Sequence, residues 1–91
     1  MSGPGRVSLR GMPKFLLTHR HTAAECGPVF AAWSGFGSPL RHRYALSSCP
    51  HGGHRLWWLV EAPDEAAALG QLPEYVSRQT EVTRVSSFPI P

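Results

Sequence analysis

Cys49, His51 and His54 fall within one twelve-residue stretch, SSCPHGGHRLWW at 47–58, and His19 and His21 form an H-x-H pair nearer the N-terminus. Neutral imidazole and thiolate are the ligands that zinc, nickel and copper prefer. His19, His21, Cys49 and His54 are therefore a candidate four-ligand metal set. The same residue types support a second chemistry. A cysteine beside a histidine is a nucleophile beside its base, and any one of the histidines is a candidate general acid or base. In a third reading the cluster is incidental to a binding module without chemistry.

These side chains need a fold to bring them together. KFLLTHRH, 14–21, alternates as a first strand with Phe15, Leu17, His19 and His21 on one face. Cys26, Val29, Phe30 and Trp33 follow at i, i+3, i+4 and i+7, the stripe of an amphipathic helix. Thr22 and Glu25 spell a capping box. Pro28 opposes so early a start, which places the regular helix from 24–27 onward, ending by Gly35 and Gly37. RHRYALSSC, 41–49, reads as a second strand and HRLWWLVEA, 54–62, as a third, joined by a Pro50-His51-Gly52-Gly53 loop. A second helix starts at an Asp64 N-cap, with Gly70 and Pro73 bending or dividing it. TEVTRVSSF, 80–88, is a last strand.

The resulting order is β-α-β-β-α-β, a ferredoxin-like α+β fold with a four-stranded antiparallel sheet in the order 4-1-3-2. That topology gathers four of the five histidines and both cysteines at one end of the sheet. Cys49 and His54 stand opposite each other across the loop. Strand 3 is apolar on both faces, Leu56, Trp58 and Val60 against Trp57 and Leu59. A second copy of the chain is the simplest cover for the second face, giving a homodimeric α+β barrel. Trp57 and Trp58 are then candidate cavity-lining residues.

Several residues have plainer roles. Cys26 reads as a small core residue, Glu25 as a capping residue, His51 and His42 as solvated. Gly52 and Gly53 both read as turn residues free to take positive φ.

Composition narrows the function further. The chain has 91 residues, 42% of them hydrophobic, and a net charge of +3, which fits one small globular domain. Residues 1–11 read as a disordered leader before a domain at 12–91, with Met12 an alternative translation start. The leader holds Arg6 and Arg10; without them seven basic residues face six acidic ones. No stripe of basic and aromatic residues remains to track phosphates, so nucleic acid is not expected. No apolar run of membrane-spanning length occurs, and no apolar segment follows the early arginines as a secretory signal requires. A cytoplasmic protein with free thiols or metal-bound cysteines is expected. Neither G-x-G-x-x-G nor a phosphate loop is present, so no nucleotide cofactor is expected.

MPKFLLTHRH, ECGPVFAAW, SCPHGGHRLWWLVEAPD and TEVTRVSSFPIP resemble the small ferredoxin-like, dimeric α+β-barrel proteins common in actinobacteria. Within that group the chain is similar in size and strand layout to a family that includes nickel-binding dimers with histidines at the end of the first strand. The resemblance implies a nickel site at His19 and His21, to which this sequence adds Cys49 and His54. It equally implies the small-molecule isomerases and monooxygenases of the wider superfamily.

Overall fold

A computed structural model of the chain describes residues 11–91. The leader assigned to 1–11 lies outside the described residues except for Gly11. The described chain is an α+β domain built on a four-stranded antiparallel sheet: β1 at Lys14–Arg20, β2 at Leu46–Ser47, β3 at Arg55–Glu61 and β4 at Thr80–Val85. The strands lie in the order β2-β3-β1-β4. Three short helices join them: α1 at Cys26–Ala31, α2 at Glu65–Leu69 and α3 at Glu74–Ser77.

Alternation along β1 and β3 decides which face forms the core. Phe15 pairs with Val60, Leu17 with Trp58 and His19 with Leu56, and all six side chains are buried. Val29 of α1, Ala68 of α2, Leu72 and Val76 of α3 close over them. The other sheet face is open in the single chain. Leu59 is 63% and Leu46 74% exposed, while Leu16, Thr18 and Trp57 are half-buried.

The helices are shorter than the sequence pattern suggests. A 3-10 turn at Ala23–Glu25 precedes α1, so Pro28 falls in the first α-helical turn, where its missing N–H costs nothing. The helix ends at Ala31 and the chain turns on to Gly35, whose φ of 74° suits glycine. Phe30, expected on the inward stripe, is 51% exposed. The second predicted helix is divided between Gly70 and Pro73 into α2 and α3. Asp64 caps α2, its carboxylate accepting from the Ala67 N–H at 2.8 Å.

The second strand is the largest departure from expectation. Only Leu46 and Ser47 of the predicted 41–49 pair with β3. Successive turns, closed by Arg41 N–H to the Ser38 carbonyl and Arg43 N–H to the Leu40 carbonyl, keep the chain curling, and His42 has a φ of 65°. Extended pairing begins only once those turns end.

Candidate metal centre

Five segments converge at the end of the sheet where β1 stops and β3 starts. Ser48 organises the hairpin. Its carbonyl accepts from the N–H groups of His51 and Gly53, both at 2.9 Å, and its hydroxyl accepts from Arg55 N–H at 3.1 Å. Gly52 has a φ of 85°, which a residue without Cβ adopts freely. Gly53 does not have positive φ. It is needed because a Cβ there would collide with the Ser48 side chain. The tight loop holds Cys49 and His54 across from each other, and His54 itself takes a φ of 53°.

His21 follows β1 and is tied to the hairpin through its own N–H, which donates to the His54 carbonyl at 3.1 Å. Its Nε2 lies 3.5 Å from Cys49 Sγ. Cys26, the first residue of α1, brings the second sulfur. One ligand atom from each of His21, Cys26, Cys49 and His54 lies within 4.8 Å of all the others. Tetrahedral zinc with Zn–N near 2.0–2.1 Å and Zn–S near 2.3 Å requires ligand separations of roughly 3.3–3.8 Å, so closure takes shifts of about an ångström. Among the described residues, one buried side-chain polar atom has no hydrogen-bond partner, and it is His54 Nδ1. An unpaired buried imidazole nitrogen is costly unless it serves as a ligand.

His19, expected as a ligand, stands behind His21. Its side chain is fully buried. Nδ1 lies 3.1 Å from the Val76 carbonyl and 3.2 Å from Thr80 Oγ1, and Nε2 lies 3.0 Å from His21 Nδ1. The Thr80 hydroxyl already donates to the Val76 carbonyl at 2.8 Å. Both neighbours of His19 Nδ1 are therefore acceptors, and Nδ1 must carry the proton. In neutral His19, Nε2 is then an acceptor for the proton on His21 Nδ1. That leaves the lone pair of His21 on Nε2, the nitrogen that faces Cys49.

Electrostatics favours neutral imidazoles here. Burial, then the neighbouring His21, lowers the pKa of His19, and burial, then His54, lowers that of His21. Burial, then Cys49, raises the Cys26 thiol. Burial thus favours a neutral His21 imidazole and a protonated Cys26 thiol, which is not the thiolate–imidazolium pair of an activated nucleophile. It is the state from which a metal ion takes both as ligands, displacing the thiol proton. Glu25 holds the turn before Cys26: its carboxylate accepts from Thr22 N–H at 2.9 Å and from the Tyr75 hydroxyl at 3.5 Å. The Thr22 N–H keeps its pKa below the usual carboxylate value.

Cys26 is the one member of this cluster outside the four-ligand set expected from the sequence. Its place on an apolar stripe suggested core, yet the helix begins at Cys26, which turns the thiol toward the cluster. The available signal was topological, since a helix leaving the end of β1 starts beside His21. His51 and His42 are exposed, as expected. Trp58 packs in the core beside His19, with ring centroids 6.4 Å apart, and lines a pocket on the helix side of the sheet. Trp57 and Trp58 together line an adjoining groove with Leu16 and Leu59. Trp58 thus borders both concavities and Trp57 the groove alone.

No family model, curated protein or solved structure matches the chain. No helix among the described residues is long and apolar enough to cross a membrane.

Proposed function

We propose that this chain is a cytoplasmic, homodimeric transition-metal-binding protein of the ferredoxin-like α+β-barrel type, holding zinc or nickel at His21, Cys26, Cys49 and His54. The convergence of two imidazoles and two thiols within 4.8 Å carries the reading. A tetrahedral N₂S₂ set suits zinc foremost. His54 Nδ1, buried and without a hydrogen-bond partner, supplies an independent reason for a cation at this point. Both cysteines are unpaired, in keeping with a reducing compartment. Support for the dimer is the open apolar sheet face of Leu16, Leu46, Trp57 and Leu59, which a second copy would cover.

The test is elemental analysis of protein purified without a nickel column, followed by titration of the apo form with Zn²⁺ and Ni²⁺. One equivalent per chain is expected, lost in Cys49→Ser and in His54→Ala. Absence of bound metal together with absence of uptake would sink the proposal.

A further inference from the structure

A pocket of about 370 Å³ opens on the helix side of the sheet, and none of His21, Cys26, Cys49 and His54 lines it. That volume lies at the lower end of the roughly 300–1,000 Å³ typical of small-molecule sites. Trp58 forms its buried floor and half-buried Trp33 a wall, the two rings 5.8 Å apart at their centroids. Phe30, 51% exposed, and Tyr44, fully exposed, complete an aromatic rim. Neither aromatic is used by the core, and folding alone gives no reason for apolar rings there.

The chemistry of the mouth is one-sided. Arg41, His42 and Arg43 line the pocket and no acidic residue does. The wall that carries them is built rather than loose. Ser38 Oγ donates to the Gln71 carbonyl at 2.7 Å and accepts from Leu40 N–H at 3.1 Å, pinning the loop to the α2–α3 junction. Two further turns and the positive φ of His42 fix the arginines' backbone. A non-glycine residue in that conformation is uncommon and costs energy that the surrounding structure must offset.

We infer that this pocket binds a small aromatic carboxylate, its ring against Trp33 and Trp58 and its carboxylate at Arg41 and Arg43. Guanidinium groups pair with carboxylates through two parallel hydrogen bonds, and a flat ring stacks on the paired indoles of Trp33 and Trp58. No metal ligand lines this pocket, so the two proposals are tested by different residues.

Calorimetric titration of the full chain with phenylacetate, and with phenylacetamide as its uncharged counterpart, tests the assignment. Saturable binding of phenylacetate is expected, weakened about tenfold or more for the amide and for the Arg41→Gln, Arg43→Gln double variant. The wild-type comparison of acid and amide stands even where the double variant fails to fold. Binding in His54→Ala should equal wild type, separating this site from the metal centre. No saturable binding of phenylacetate, or equal binding of acid and amide, would overturn the inference.

Discussion

His19 Nε2 lies 3.0 Å from His21 Nδ1, and that contact fixes which nitrogen His21 offers to the cluster. The order of proton positions runs from the Val76 carbonyl through His19 to His21 Nε2. His19 is thereby a positioning residue that acts through a ligand. Partners of this kind commonly contribute 10–100-fold to metal affinity. His19→Ala should weaken Zn²⁺ binding by about that factor, read by competition with a chromogenic chelator. The ¹⁵N shifts of wild-type His21 should report the Nδ1–H tautomer. An Nε2–H tautomer in the apo protein contradicts the relay even if the variant unfolds.

Cys26 and Cys49 should behave alike toward metal. Cys26→Ser is expected to lose the tight Zn²⁺ site as Cys49→Ser does, since each removes one of two sulfurs. Co²⁺ substitution gives a direct readout: the thiolate-to-metal charge-transfer band should fall to about half in either variant that retains the ion. An unchanged band in Cys26→Ser would return that residue to the core.

Acid should destabilise the apo protein. His19 and His21 have folded pKa values below their ordinary 6.5, so the unfolded chain binds more protons than the folded one across the intervening window. Stability is then greatest above about pH 6.5 and declines as pH falls from there toward the folded values. Thermal midpoints of apo protein should drop between about pH 7.5 and 5. A flat profile over that range would contradict the buried, neutral state of the pair.

The open sheet face should control assembly. Trp57→Glu or Leu59→Glu places a charge in the proposed apolar contact and should shift the chain to monomer in sedimentation velocity. Wild type sedimenting as a monomer, with the same value as the variants, would remove the dimer.

Core truncation provides a reference for these effects. Leu17 is fully buried between Trp58 and Val82 in the ladder, so Leu17→Ala should cost about 2–5 kcal/mol in urea unfolding.

Much of the frame was legible from residue order. An alternating stretch at 14–21 and a continuous apolar run at 56–60 specified β1 and β3, the second because a strand inside a sheet can be apolar on both faces. Asp64, Gly70 and Pro73 marked the start and the division of the second helical region through backbone chemistry local to each residue. The gathering of His19, His21, Cys26, Cys49 and His54 at one end of the sheet also followed from topology. Other features depended on contacts that no local pattern encodes. The 3-10 turn at Ala23–Glu25 put the start of the regular helix at Cys26, beside the other ligands, and Phe30 within that helix faces solvent. The turns after Ser38 shortened β2 to two residues. Above all, His19 and His21 look identical in the sequence, two imidazoles on one strand face. Only packing of α3 and β4 against β1 supplied the Val76 carbonyl and Thr80 hydroxyl that occupy His19 Nδ1. Partners 57 and 61 residues away engage one histidine and leave its neighbour's Nε2 facing the cluster.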